Sequence, residues 1–289
     1  MSEQIVIVGP GRMGLALGAA LHQAGEVERL IYHGRTLEPP PHPLFDPEGG
    51  AEYRLGPHPV PAGTTIVILA VPDQALAEVA HDLALVATAP PGCVALHLAG
   101  ALSADVLTPL HSAGYAIGSL HPLQTVADRW SGGDRLFGAA FALAGEPAAI
   151  AAGRRLVSAL GGRTLLIPPA LRPVYHAAAV LASNSLVALA AAAARLLGQA
   201  GVAEDDAVPS ILPLVRGTLD NLEHLGAPAA LTGPIARGDL DTVRLHLARL
   251  SREDRALYCA LGLETLRLAR AVGLDEDKAA ELESLLSSA

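Results

Sequence analysis

Aromatic residues are scarce in this sequence: one tryptophan, three phenylalanines and five tyrosines among 289 residues. Its cores must therefore be filled by aliphatic side chains, with alanine and leucine supplying most of the apolar content. Cysteine is almost absent. Cys93 and Cys259 stand far apart and in no metal-ligand spacing, which predicts two reduced thiols and no metal site. Positive charge is short as well, 20 Lys and Arg against 29 Asp and Glu, for a net charge of −9. Gripping a phosphate backbone needs the opposite surplus, so the balance argues against a nucleic-acid partner. No basic tract or basic amphipathic helix points to a membrane surface. The opening MSEQIVIVGPGRMG runs straight into a strand and a glycine loop, unlike a signal peptide, which predicts a cytoplasmic protein.

One stretch has no charge at all. Ala177 to Ala194 is about long enough to span a bilayer. It carries Ser183, Asn184 and Ser185 at its centre and is mostly alanine, which drives insertion weakly. The expectation is a buried helix of a soluble domain rather than a membrane span.

The chain length allows two domains. The first half alternates short apolar strands with helical segments, the pattern of a parallel sheet covered by helices. Strands are predicted at Ile5–Val8, Leu30–His33, Thr65–Val71, Val94–Leu98, Ala116–Leu120, Ala139–Ala144 and Arg163–Ile167, with a short one near Glu52–Leu55. Helices are predicted at Met13–Ala24, from about Asp73, and near Pro147–Leu160. Pro168, Pro169 and Pro173 then punctuate the chain, and every later segment reads helical. The fold class is α/β: a Rossmann sheet domain over residues 1–168, then an all-α domain over 169–289 for substrate binding and dimerisation.

Gly9-Pro10-Gly11-Arg12-Met13-Gly14 matches G-x-G-x-x-G between an apolar strand and a helical pattern, the context that gives this motif meaning. Gly9 would permit the tight turn, Gly11 would let backbone approach a pyrophosphate, and Gly14 would let helix and strand pack closely. The phosphates would sit at the helix N-terminus, where N–H groups and the dipole favour an anion. Gly18, one turn later, could tighten the same contact. The dinucleotide is chosen at the end of the second strand, where an NAD site places an acid. Here the sequence reads Tyr32-His33-Gly34-Arg35-Thr36. A carboxylate would repel a 2′-phosphate, whereas Arg35 can clamp one and Thr36 can donate a hydroxyl, so NADP(H) is the expected cofactor.

In such sheets the ligand lies outside the carboxyl ends of the strands. Those ends hold Val71-Pro72-Asp73, then His97-Leu98-Ala99-Gly100, then Ser119-Leu120-His121-Pro122-Leu123-Gln124-Thr125. Val71, Pro72, Ala99 and Gly100 suit a backbone passing close to the cofactor, and Gln124 could bind substrate. His121 could carry the proton that accompanies hydride transfer, or could simply fix the turn before Pro122. His97, inside an apolar strand, reads as a satisfied core histidine.

The glycine loop, ILAVPD and a long helix opening the second domain resemble the 6-phosphogluconate dehydrogenase-like superfamily. Its members include pyrroline-5-carboxylate reductase, ketopantoate reductase, prephenate dehydrogenase and the hydroxyisobutyrate dehydrogenases. SLHPLQT, YHAAAVLASNSLVAL and LTGPIARGD more specifically resemble predicted NADP-dependent oxidoreductases that pair a Rossmann-like domain with a helical domain of unknown function. That resemblance covers essentially the whole chain and implies a homodimer joined through the helical domain. Hydroxyisobutyrate-type enzymes place a catalytic lysine one turn before an asparagine on the long helix. Matching Asn184 to that asparagine puts Val180 at the lysine position, and Val180 cannot transfer a proton. The small-residue GSGP pattern of pyrroline-5-carboxylate reductase is SNSL here.

On one continuous helix His176, Val180 and Ser183 share a face, with Asn184 about a quarter-turn away. An asparagine in an apolar helix is costly unless hydrogen-bonded, which makes Asn184 a candidate to orient the reacting group, with Ser183 beside it in the substrate site. His176 is a second candidate proton carrier. Thr232 and Arg237 could reach a substrate carboxylate, while Asp239 reads as a helix N-cap. The leading expectation is an NADP(H)-dependent oxidoreductase acting on a small carboxylate-bearing carbonyl, hydroxyl or imine, with ketopantoate-type 2-oxo acids first to screen on the resemblance. The rival, motivated by the missing lysine, is an NADPH-binding sensor or scaffold without turnover. A deazaflavin in place of nicotinamide is a third reading.

Overall fold

The structure is a computed structural model and describes residues 3–86 and 88–288. The chain divides into two compact units, one running to Ser183 and one from Asn184.

The first unit is built on an eight-stranded sheet in the order β3-β2-β1-β4-β5-β6-β7-β8. The strands are β1 (Glu3–Val8), β2 (Val27–Gly34), β3 (Ala51–Leu55), β4 (Ile66–Leu69), β5 (Val94–His97), β6 (Ala116–Pro122), β7 (Ala140–Gly145) and β8 (Arg163–Leu166). The helices are α1 (Arg12–Gln23), α2 (Leu76–Val86), α3 (Thr108–Ser112), α4 (Pro147–Ala159) and α5 (Arg172–Ala182). Every residue of β4 and β5 is buried, as expected of central parallel strands covered on both faces. The two-residue period of the strands sorts their side chains between two cores. Ile5, Ile7, Ile66, Ile68 and Leu96 join Leu15, Leu17 and Leu21 of α1 and Leu156 of α4 on one side. Val6, Val67, Leu69 and Ala95 join Leu76, Ala80 and Leu83 of α2 on the other. Each fully buried leucine contributes about 2 kcal/mol relative to exposure, and together these fix the register that brings the strand ends to one edge.

One feature differs from a plain parallel sheet. β7 runs antiparallel to β6, while β8 is parallel to β7. The segment from Leu123 to Ala139 contains only one 3-10 turn, Asp134–Leu136, and no crossover helix to carry the chain back for a parallel neighbour. β3 forms the far edge, parallel to β2, and is the short strand expected in the Pro- and Gly-rich region.

The second unit is all-α: α6 (Asn184–Gln199), α7 (Glu204–Leu225), α8 (Pro234–Arg237), α9 (Leu240–Arg249), α10 (Arg252–Ala271) and α11 (Glu276–Ser287). Its core is Ile235, Val243, Leu247, Cys259, Leu266, Ala279, Leu282 and Leu286, drawn from α8 to α11. Asp254 anchors this unit by receiving Ser251 and Arg195.

Two sequence expectations fail along the charge-free run. The helix is not continuous: Ser183 adopts φ −118° and ψ −74°, ending α5, and α6 starts at Asn184. His176 and Val180 still share a face of α5, but Ser183 and Asn184 lie beyond its end, so the four-residue face expected on one continuous helix is not formed. The run is not buried either. Leu181 and Val187 are 69% and 71% exposed, and Ala192 is the buried residue of α6. Alanine-rich composition keeps a helix apolar without obliging its own fold to cover it. By length and composition the helical stretch Pro169–Gln199, which contains an 18-residue window of mean hydropathy 1.8, could cross a membrane. The composition changes at Pro168-Pro169, whereas the compact units part after Ser183, so α5 belongs with the sheet unit.

Candidate functional site

The turn after β1 is shaped by its three glycines. Gly9 adopts φ +106°, and a Cβ there would stand 2.6 Å from the Ala70 carbonyl oxygen. A Cβ on Gly14 would stand 2.2 Å from the Gly9 carbonyl oxygen, so α1 can meet the turn only without a side chain. Gly11 differs, for its Cβ would meet nothing nearer than 3.9 Å. It faces open space and caps α1 with no side chain of its own, leaving the first N–H groups of the helix available. Gly18 serves another contact than the one expected of it. It admits Tyr32 from β2, whose hydroxyl donates to the Gly14 carbonyl at 2.9 Å.

A cavity of about 730 Å3 opens from this turn, walled by Val8–Gly11 (with Pro10), by Gly34, Arg35 and Thr36, and by Ala70, Val71 and Pro72. No acid ends β2, and the carboxylates of the wall are Glu78 and Asp82 on α2. Arg35 is exposed and bonds no described residue. Thr36 is already engaged: its hydroxyl donates to the Glu38 carbonyl at 2.7 Å, so the free donor expected there is spent locally. Arg12 reaches the Ala127 carbonyl at 3.1 Å instead of the cavity, and Met13 packs partly against the sheet core. His33, buried in the same wall with neither ring nitrogen bonded, is held neutral. Burial, then the charges of His58 and Arg54, push its pKa down to about 4.

At the other end of the carboxyl edge, side chains of β5, β6 and α5 meet. His97 is fully satisfied: Nδ1 accepts from the Ala99 N–H and Nε2 meets the Ser103 carbonyl, each at 3.1 Å. That is the core histidine the sequence suggested, with a pKa pushed to about 4 by burial and then by Arg172. His121 makes no turn bond. Its Nδ1 lies 2.7 Å from the Tyr175 hydroxyl, and its ring lies edge-on to Tyr175 and His176 at 5.6 and 5.7 Å. Burial first, then the charges of His176, Arg172 and His97, lower its pKa to about 4. His121 is therefore neutral near pH 7, able to take a proton, with Tyr175 as its hydroxyl partner. Gly100 makes the approach possible, since a Cβ there would lie 2.2 Å from His176 Nδ1 and 2.9 Å from His121 Nε2.

Arg172 and Tyr175 were not singled out in the sequence. Arg172 is fully buried and donates from Nη2 to the Ala99 carbonyl at 2.6 Å. A signal was present: an arginine in the first turn of a helix opposes the helix dipole, so something else must hold it there. Tyr175 and His176 follow three and four residues later on the same face of α5.

Other candidates are placed elsewhere. Gln124 is tied down, donating to the Arg135 carbonyl at 3.0 Å and accepting from the Thr125 N–H at 2.9 Å. Ser183 is the C-cap of α5. Asn184 begins α6 and is exposed, so the burial cost that made it a candidate is not incurred. Thr232 and Arg237 are exposed in the second unit. Asp239 caps α9 by accepting from the Thr242 N–H at 3.1 Å. No lysine stands in the first unit, because the single lysine of the sequence is Lys278. No cluster of metal-ligating side chains occurs among the described residues.

Residues 2–122 match the model of a Rossmann-like domain. Residues 139–265 match that of a domain of unknown function, DUF2520. No curated protein matches the sequence. Among solved structures, protein TM1727 from Thermotoga maritima shares 22% identity and superposes with a TM-score of 0.70 over 92% of this chain and 98% of its own. Plasmodium falciparum pyrroline carboxylate reductase with NADP bound shares 12% identity, with a TM-score of 0.60 over 98% and 97%. A reductive aminase from Aspergillus terreus in complex with NADPH shares 16%, with a TM-score of 0.57 over 100% and 93%. At these identities the likeness is one of fold. The chain thus joins a Rossmann-like domain to a DUF2520 domain, the pairing its motifs resemble.

Proposed function

We propose that the protein is an NADP(H)-dependent oxidoreductase acting on a small carboxylate-bearing carbonyl, hydroxyl or imine. The observation that carries this reading is the cavity running from the Gly9–Gly11 turn to Arg35, with no acid at the end of β2. Its residues fit the dinucleotide: Gly11 leaves the end of α1 open for phosphates, and Arg35 is free for a 2′-phosphate. Bound there, the nicotinamide would supply or accept a hydride. The chain's own contribution is proton handling and placement. Neutral His121 takes the proton released when a hydroxyl or amine is oxidised, or returns it in the reverse direction. Tyr175 holds the His121 ring through Nδ1, which leaves Nε2 facing Gly100 as the working nitrogen. His176, whose Nδ1 is buried without a partner, is the second proton carrier. The solved structures with NADP or NADPH bound support the choice of cofactor.

The exposed apolar surface of α6 and α7, including Val187, Leu212 and Leu219, is the face we propose a second copy covers, giving a soluble, cytoplasmic homodimer. Sedimentation in buffer without detergent separates this from a membrane contact, which would leave the chain aggregated until detergent is added.

The enzyme reading is tested by incubating purified protein with NADPH and a panel of oxo acids, imines and uncharged ketones, following absorbance of the reduced nicotinamide. Substrate-dependent oxidation of NADPH is expected. Tight NADPH binding without turnover of any panel member would favour the sensor reading instead.

A further inference from the structure

We infer that Arg172 is the receptor for a substrate carboxylate, which makes the strand-end cluster around Ala99 and Gly100 a site for small organic acids. The inference deepens the oxidoreductase reading and rests on it for the fate of the bound acid.

Among the described residues Arg172 is the largest fully buried side chain, and no carboxylate pairs with it. A buried charge without a counter-ion is among the costliest arrangements a fold can hold. One donor, Nη2, is used on the Ala99 carbonyl. Nε and Nη1 have no partner. Two more polar atoms of the cluster, His176 Nδ1 and Ser119 Oγ, are buried without partners as well. Four such orphans together differ from one chance defect, since buried polar atoms are nearly always paired.

The chemistry of the missing partner follows from the neighbours. Every unpaired group here can donate to an anion: a guanidinium, a hydroxyl and an imidazole. His97 and His121 are already neutral, so they neither balance the guanidinium nor compete with it for an acid. His121, Tyr175 and His176 are partly exposed, whereas Arg172 beside them is fully buried.

Geometry narrows the acid further. Arg172 bonds the carbonyl of Ala99, and Nε2 of His121 faces Gly100, the next residue. Consecutive Cα atoms are about 3.8 Å apart. A carboxylate on Arg172 and an oxygen or nitrogen beside His121 are thus within the span of one small molecule. That describes a short oxo, hydroxy or imino acid.

The test uses the full chain loaded with NADP+ and calorimetric titration of 2-hydroxybutanoate, 2-hydroxy-3-methylbutanoate and lactate, each beside its neutral amide. At least one acid is expected to bind ten-fold or more tightly than its amide. Arg172→Gln is expected to abolish that ratio, and Arg172→Lys to restore part of it. NADPH affinity, measured in the same series, should be unchanged in both variants. Should Arg172→Gln fail to fold, the acid-to-amide ratio of the native protein decides alone. Equal binding of every acid and amide, or an undiminished ratio in Arg172→Gln, overturns the inference. If NADPH binds and uncharged ketones turn over while no acid is preferred, the carboxylate receptor is wrong and the oxidoreductase reading stands. If NADPH does not bind, that reading fails first.

Discussion

The two ends of the sheet's carboxyl edge are built from different materials. At the β1–β2 end the cradle is backbone and absence: glycines where a Cβ would collide, and a strand end without an acid. At the β5–β6 end it is side chains: two neutral histidines, a tyrosine and a buried arginine with idle donors. Backbone cradles suit a ligand whose phosphates are always the same. Side-chain clusters suit chemistry that differs from one substrate to another.

The largest expected effect falls on the side-chain end. His121→Gln keeps a polar side chain but loses the titrating imidazole, and should lower kcat by about 10²- to 10⁴-fold while leaving NADPH affinity intact. An equal loss of NADPH affinity would mean that the two ends are not separable. On the backbone end, Gly14→Val drives a side chain into the Gly9 carbonyl, which has nowhere to go. We expect at least about 3 kcal/mol of lost stability in chemical denaturation. Gly11→Ala, facing open space, should alter stability by less than about 0.5 kcal/mol yet weaken NADPH binding. If both substitutions destabilise alike, Gly11 is structural and the cradle has been misread.

The histidines make stability depend on pH in a definite sense. The fold holds His33, His97 and His121 neutral, with pKa values lowered to about 4. The unfolded chain therefore takes up protons first as pH falls. Stability present above about pH 6.5 is lost towards pH 4, on the order of 3 kcal/mol for a fully buried group such as His97. Denaturation midpoints at pH 7.5 and 4.5 should differ accordingly, and a flat profile would mean that these imidazoles titrate in the fold as they do in the unfolded chain. The smallest effect is expected on the apolar helices. Val187→Glu should leave monomer stability within about 0.5 kcal/mol but shift sedimentation towards the monomer.

Much of the fold was legible because buried parallel strands read as unbroken Val, Ile and Leu runs and the glycine turn sits between a strand and a helix. The antiparallel β7 was not, since strand direction depends on how a connection returns rather than on the strand's own residues. The break at Ser183 carries no proline or glycine to mark it. In the site, His121 was readable as an imidazole at a strand end. Arg172 was not, because burial of an arginine shows only when sheet and helix are assembled around it. Asn184 illustrates the opposite error: an apolar surrounding in sequence was taken for burial in space.

The most direct test of the central claim is the ratio of NADPH to NADH affinity in the native protein and in Arg35→Ala. Tighter binding of NADPH is expected, with the preference falling by about 10- to 100-fold when the guanidinium is removed, as charge-assisted hydrogen bonds to a phosphate require. Equal affinity for the two dinucleotides in the native protein, or a preference untouched by Arg35→Ala, would contradict it.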